Sequence, residues 1–577
     1  MVLENLPEKP NIVILLNDQD SDGHDWIRDF EQKFLPAIKR LKDNGLTFNN
    51  MYTGATACSP SRATLLTGTY PMENGVRRTL VIPNDKSLGK VPKGFTQDSL
   101  RPSQLNIAHM LNAAGYRVIW KGKWHLSHPV SGTDNWTEDD VTYMREAYGF
   151  HEWNPGDAGD SLVDPSRLGG GSLYHNDARY VDGTQSPSVA RLKAESVLDF
   201  IRKYKSEDGP FCLFISLVNP HDIHMAPDFL EGSGYTEGLG REFDLPVPEN
   251  ANEDLSMKPD VHQVWRTIKN KRDKYKDIND YEVQKNYVNF YGHLKTLVDW
   301  EMQKILNALD VKGMTEDTLI IRVADHGEMC LAHGMREKPY NAYEETINVP
   351  LIFSNPRLFP NAQETDAMAS ALDLMPTLAR IAGVYDMYKF AFKGKDLTPV
   401  LENPQTDVRE YVHFTYDDGN LPDVFSDIPP QIRTICSKEW KYSVYFTQDG
   451  SNFEYELYDR VNDPHENNNL AGMEDYLDEQ AQLHADLQTM MLRMGTLPGS
   501  FWFITEQMEK DGFLPPRHWP TTKEALSQAR LQHEVKKVEK ALAQDQKSRA
   551  KNIENIIDNL QEEIWWIRPL TVDFKRK

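Results

Sequence analysis

Cysteine is scarce: Cys58, Cys212, Cys330 and Cys436 are the only four in 577 residues, and no two stand in C-x-x-C spacing. That pattern excludes a disulfide framework and a cysteine-built zinc site, and it fits a reducing compartment. Positive charge is also short, with 64 Lys and Arg against 87 Asp and Glu and a net charge of −23. Such a field repels phosphate backbones and anionic lipid surfaces, so nucleic acid is not an expected partner. Long apolar runs are missing too. None approaches the roughly 20 residues of a membrane span. The opening "MVLENLPEKPNIVILLNDQD" has no basic lead and only the short run "IVILL", so it does not read as a secretion signal. The expectation is a cytoplasmic protein without a membrane partner.

What is present is enough for a large core. At 39% hydrophobic content, the length suits one large α/β catalytic domain with a smaller companion. "NIVILLND" reads as a buried parallel strand with Asp18 at its C-terminal end, where open α/β sheets place their ligands. "YRVIW" leads to Lys121, Lys123 and His125 after an amphipathic helix with Leu105, Ala108 and Leu111. "GPFCLFISLVNPHDIH" delivers His221 and His224, and "EDTLIIRVADHGE" delivers Asp325 and His326. Four strand ends carrying charged or imidazole groups imply one site. From about residue 405 shorter alternating strands and a helix near 475 to 493 suggest a small antiparallel α+β unit. The expected division is 1–400, 401–510 and 511–577. In the last part Leu531, Val535, Val538 and Leu542, then Ile553, Ile556, Leu560 and Ile564, form a narrow apolar seam. A helical tail of this kind predicts a homodimer or homotetramer.

Cys58 lies in "TACSPSRATLLTG". Pro60 is a good first helical residue, which makes Ser59 the expected N-cap and Gly68 the expected stop. The amides of that helix start favour an anion. A lone cysteine is more often a small buried hydrophobe. Here Cys58, Pro60, Arg62, Leu66, Thr67 and Gly68 match C-x-P-S-R-x-x-x-L-T-G, and the sequence resembles the formylglycine-dependent type I sulfatases of the alkaline phosphatase superfamily. "NIVILLND", "GKWH", "VNPHD", "ADHGE", "EKPYNAYEETINVPLIF" and "ELYDRVNDPHENNNLA" match further landmarks of that family, from about residue 10 to 495.

The resemblance implies a large mixed central sheet flanked by helices and a formylglycine made from Cys58 by a maturation enzyme, whose hydrate is the nucleophile toward sulfur. It implies one divalent metal ion on Asp18, Gln19, Asp325 and His326. It places Arg62, Lys123 and Lys338 around the sulfate, His221 as acid to the leaving group and His125 as partner of the hydrate. Calcium sulfatases of the family carry Asp-Asp and Asp-Asn where this chain has Asp18-Gln19 and Asp325-His326. A carboxylate fewer and an imidazole more favour Mn²⁺ over Ca²⁺. These pairs look like those of choline sulfatases and phosphonate monoester hydrolases.

Lys121 is expected to be a solvated charge outside the site. His24, His109, His128 and His465 are expected to stay out of it, while His224 and His333 are open. The expected reaction is hydrolysis of a small sulfate monoester of the aryl or choline type. The alternative is phosphonate monoester or phosphodiester hydrolysis, against which the family's phosphonate hydrolases carry Tyr and Thr at the positions of Lys123 and His125. A binding protein on the same scaffold would need a degraded nucleophile or metal motif, and neither is degraded. The stretches 127–195 and 225–285, rich in Trp, Tyr and acidic residues, are expected to shape the pocket for the alcohol.

Overall fold

Asn11–Asp18 (β1) is buried at every residue. Ile12, Ile14 and Leu16 enter one apolar core and Val13 and Leu15 the other. A strand covered on both faces needs the unbroken apolar run that this segment has. The computed structural model describes residues 2–80, 99–130, 137–153, 177–183, 195–226, 235, 238–272, 278–418, 428–447 and 452–498.

Around β1 stand Gly45–Tyr52 (β2), Arg117–Gly122 (β3), Glu152–Trp153 (β4), Phe211–Pro220 (β5), Thr318–Ala324 (β6), Leu351–Ser354 (β7) and Gln363–Ser370 (β8). Their order in the sheet is β4-β3-β5-β1-β6-β7-β2-β8. β7 runs antiparallel to β6 and β2, and the remaining pairs are parallel, so the large sheet is mixed. β1 keeps register with β5 from Ile12 opposite Cys212 to Asn17 opposite Leu217, then slips so that Asp18 faces Pro220. Such an irregularity at a strand end re-aims a side chain.

Val412–Tyr416 (β9), Gln431–Cys436 (β10), Trp440–Phe446 (β11) and Phe453–Asp459 (β12) form the antiparallel sheet read from the late alternating segments, in the order β12-β11-β10-β9. Alternation lets it serve two layers. Ile435, Tyr442, Val444 and Leu457 meet Leu483, Leu487 and Met491 of the helix Leu477–Met494. Val412, Phe414, Tyr416 and Ile432 meet Tyr52, Trp265, Tyr340 and Tyr343 of the larger part. A parallel bridge from Ala55 to Thr415 ties the small sheet to the loop that leads into Cys58. The three cysteines other than Cys58 are free thiols in the core, as the composition implied. Among the described residues no helix is long and apolar enough to cross a membrane. The tail 511–577, with its apolar seam, and much of 127–195 and 225–285 lie outside the described residues.

Candidate active site

β3, β5, β1 and β6 are neighbours, so their C-terminal ends open on one place. β1 ends on Asp18, β5 runs into His221, β6 runs into Asp325 and His326, and β3 into Lys123 and His125. β2 feeds the helix Cys58–Thr67, every residue of which is buried. That helix begins two residues earlier than the sequence indicated. Ala57 is the N-cap and caps with no side chain, while Ser59 lies within the first turn and its Oγ accepts from the Leu80 N–H at 3.0 Å. The first-turn amides have no intrahelical acceptor, so Pro60 costs the helix no hydrogen bond there. The stop falls where expected, at Gly68 with φ +64°.

The Cys58 Sγ is 3.1 Å from His326 Nε2 and 3.7 Å from Asp18 Oδ1. His125 and His221 also lie beside it. One ligand atom each from Asp18, Cys58, Asp325 and His326 lie within 4.8 Å of one another. His326 Nε2 stands 4.0 Å from Asp18 Oδ1 and 3.8 Å from Asp325 Oδ1, farther than hydrogen bonds and near the edge lengths of a coordination polyhedron. Two buried carboxylates and an imidazole with this spacing fit a divalent cation.

Arg62 holds the carboxylates from behind. Its Nε donates to Asp325 Oδ2 at 2.9 Å, Nη2 to Asp18 Oδ2 at 2.8 Å, and Nη1 to Ser216 Oγ at 2.7 Å and the Lys123 carbonyl at 3.0 Å. Lys123 Nζ pairs with Asp18 Oδ2 at 2.6 Å. Lys338 Nζ donates to Gln19 Oε1 at 2.6 Å, and the Gln19 Nε2 donates to Glu328 Oε2 at 2.5 Å. Gln19 has φ +64°, and its turn is braced from behind: Asp20 binds Lys295 and Arg322, and the Tyr291 hydroxyl donates to the Gln19 carbonyl at 2.8 Å. Ser216, Glu328 and this brace escaped the sequence reading. Glu328 stands in the quoted "ADHGE", but nothing local marks its partner.

The groups around residue 58 favour an anion there. Burial pushes the Cys58 thiol up, and Lys123, Lys338 and His326 overcome it and hold it well below the ordinary thiol range. Burial likewise raises Asp18, and Lys123, His221 and Arg62 pull it well below the usual carboxylate range. Asp325 is pushed up to about 6 by burial and by the charge of Asp18. Burial and the neighbouring Lys123 lower His221 to about 4. His221 is also the imidazole open to approach, with 12% of its side chain exposed against none for His326.

Lys121 stays out of this cluster but is not solvated: its ammonium is buried on Glu152 Oε2 at 3.0 Å and the Glu195 carbonyl at 2.8 Å. His224 lies beside the site, its ring 4.7 Å from that of His221. His333 belongs elsewhere, stacked on Tyr343 at 3.8 Å and paired with Glu253. His24 hydrogen-bonds the Glu328 carbonyl at 2.9 Å, and burial lowers it to about 3.

The family model described as Sulfatase matches residues 10–384, and that described as N-sulphoglucosamine sulphohydrolase, C-terminal, matches residues 332–493. An ulvan-active sulfatase of Formosa agariphila is 26% identical over 503 residues, 85% of this chain and 82% of its own. A choline-sulfatase of Rhizobium meliloti is 25% identical over 535 residues, 89% of this chain and 94% of its own. The crystal structure of a putative sulfatase from Bacteroides thetaiotaomicron superimposes with a TM-score of 0.63 at 22% identity, covering 85% of this chain and 93% of the other. The chain belongs to the sulfatase family of the alkaline phosphatase superfamily and is a sulfuric ester hydrolase.

Proposed function

We propose that the chain hydrolyses a small sulfate monoester at residue 58. The observation that carries this reading is the convergence on Cys58 of Asp18, Asp325 and His326, with Lys123 paired to Asp18 at 2.6 Å and Lys338 held on Gln19 at 2.6 Å. The Cys58 Sγ stands where the oxygens of the formylglycine hydrate would be, and that group would supply the nucleophile. A divalent ion held by Asp18, Asp325 and His326 would supply a Lewis acid beside it.

The chain's own residues do the rest. Lys123 and Lys338 neutralise the sulfate oxygens as charge moves onto them, in a pocket dry enough for the interaction to count. Arg62 spends its donors on Asp18, Asp325, Ser216 and the Lys123 carbonyl, so its part is to fix the carboxylates and the Lys123 backbone. His221, on the open side, carries the proton to the leaving alcohol. His125, held at Nε2 by the Leu80 carbonyl at 2.7 Å, is aimed at residue 58 and moves its proton when sulfate is released.

Lys123 on Asp18 and His125 on Cys58 favour sulfate over phosphonate, since the phosphonate hydrolases of the family have neither at these positions. The extended match to a choline-sulfatase supports a small alcohol. Rates on choline sulfate, an aryl sulfate, a sugar sulfate and an aryl phosphonate test the reading. The highest kcat/KM is expected on choline or aryl sulfate, and a wide preference for the sugar sulfate or the phosphonate contradicts it. Asp18, Asp325 and His326 favour Mn²⁺ over Ca²⁺. Stripping the metal and restoring each ion separately is expected to return more activity with Mn²⁺, and equal recovery with Ca²⁺ refutes that preference.

A further inference from the structure

Glu328 is fully buried and sits two residues past His326. Its Oε1 accepts from the Tyr287 hydroxyl at 3.0 Å, the Cys330 N–H at 3.1 Å and the Glu337 N–H at 2.9 Å. Among the described residues its Oε2 accepts from Gln19 Nε2 alone, at 2.5 Å. On the other end of the same amide, Gln19 Oε1 accepts from Lys338 at 2.6 Å. A carboxylate can only accept and an ammonium can only donate, so an amide caught between them has one orientation. The two oxygens of Glu328 therefore do separate jobs. One closes the loop that carries Lys338, since Glu337 is its neighbour in the chain and the Met329 N–H returns to the Glu337 carbonyl at 3.0 Å. The other decides which end of Gln19 meets Lys338.

We propose that Glu328 is a positioning residue for sulfate ester hydrolysis: by taking the Gln19 NH₂ it turns the Gln19 oxygen onto Lys338 and so fixes that ammonium beside residue 58. The inference rests on the part given above to Lys338 in binding the sulfate. Lys338 is buried, and its ammonium donates to Gln19 Oε1 at 2.6 Å. Were the amide reversed, its NH₂ would face the ammonium, donor against donor, and Lys338 would have to leave its place.

The substitution Glu328→Gln separates the two jobs. The new amide keeps an oxygen for Tyr287, Cys330 and Glu337, and presents NH₂ to Gln19, which must turn over. Outer-sphere partners of this kind typically cost about 10- to 100-fold when changed, and E328Q is expected to lose kcat/KM by that factor while its melting temperature stays near that of the wild type. Calorimetric binding of inorganic sulfate to the full-length protein is expected to weaken in parallel. The double substitution Q19E/E328Q is expected to restore both, because the carboxylate then at position 19 accepts from the amide at position 328 and from Lys338. Tyr287→Phe removes a donor from Oε1 alone and is expected to leave kcat/KM unchanged. K338A is the control for the underlying reading. Wild-type activity in K338A sinks the assigned role of Lys338, whatever E328Q does. If K338A is impaired, wild-type activity and sulfate binding in E328Q overturn the inference. Failure of Q19E/E328Q to recover, or loss of the fold in both Glu328 variants, assigns Glu328 to the loop alone and overturns it as well.

Discussion

Arg62 shows how much one side chain holds at this site. Its guanidinium joins two like-charged buried carboxylates to β5 and to the backbone after β3, through donors in the fixed fork that lysine lacks. Arg62→Lys cannot span Asp18 and Asp325 together; Asp18 keeps Lys123, but one of the two buried Arg62 pairs is broken, and breaking a buried pair costs about 3–5 kcal/mol. The expected result is a metal-free protein destabilised by that order in chemical denaturation, and a loss of kcat/KM far larger than the change in KM. A wild-type denaturation midpoint would contradict the bridging role. The residue types at this centre were legible because each stands at the end of an apolar strand or in a dense motif. Lys121 was not: the site residue Lys123 stands two positions on, and only the pairing of β3 with β4 reveals that Glu152 buries it. Ser59 was misread for a similar reason, since its hydroxyl is claimed by the Leu80 N–H, 21 residues away in sequence.

At the scale of elements, the site depends on β3 and β5 lying close enough for Lys123 to be handed over at the right place. Gly122 makes that possible. It has φ +103°, and a Cβ there would stand 2.0 Å from the Ser216 carbonyl oxygen, the acceptor for the Lys123 N–H at 2.9 Å. Gly122→Ala therefore meets both a steric clash and an unfavourable backbone conformation, at a cost on the order of 3 kcal/mol. We expect a lower melting temperature together with weaker sulfate binding, because Lys123 and His125 follow directly. A G122A protein with wild-type stability and kcat/KM would show that the close approach is dispensable. The strand order itself was beyond the sequence. β1, β3, β5 and β6 could be recognised by their apolar runs, whereas β2, β4, β7 and β8 were not read from the sequence, and nothing local says that β1 lies between β5 and β6, or that β7 is reversed.

At the scale of the whole molecule, the small sheet is held to the large part by buried charge as well as by apolar packing. Lys441 on β11 lies between Glu344 at 2.6 Å and Glu466 at 2.7 Å, and Arg460, just after β12, also reaches Glu344, at 3.2 Å. Burial raises Glu344, but Arg460 and Lys441 outweigh it and bring it down to about 2. A carboxylate depressed on folding contributes stability above its unfolded pKa of about 4.5 and loses it as pH falls toward 2. Glu345 works the other way: burial and Glu466 raise it to about 8, so it favours the folded state at low pH and less so as pH rises. Melting temperatures of the wild type and Glu344→Gln between pH 6 and pH 3 separate the two. E344Q is expected to be less stable at pH 6 and to lose less on acidification, and parallel curves would contradict the docking role. The composition made a small antiparallel unit visible, yet the Glu344–Lys441–Arg460 cluster joins positions far apart in sequence that no local pattern links.

The most direct test of the account joins the chemical state of residue 58 to turnover in the same sample. Protein made with a formylglycine-generating maturation system would be digested, and the peptide around residues 56–62 analysed by mass spectrometry for thiol and aldehyde forms. Preparations with different degrees of conversion would then be assayed on an aryl sulfate. The account predicts that kcat, per total enzyme, rises in proportion to the aldehyde fraction and that Cys58→Ala is inactive. Full activity in a preparation whose peptide carries only the ordinary thiol would contradict it.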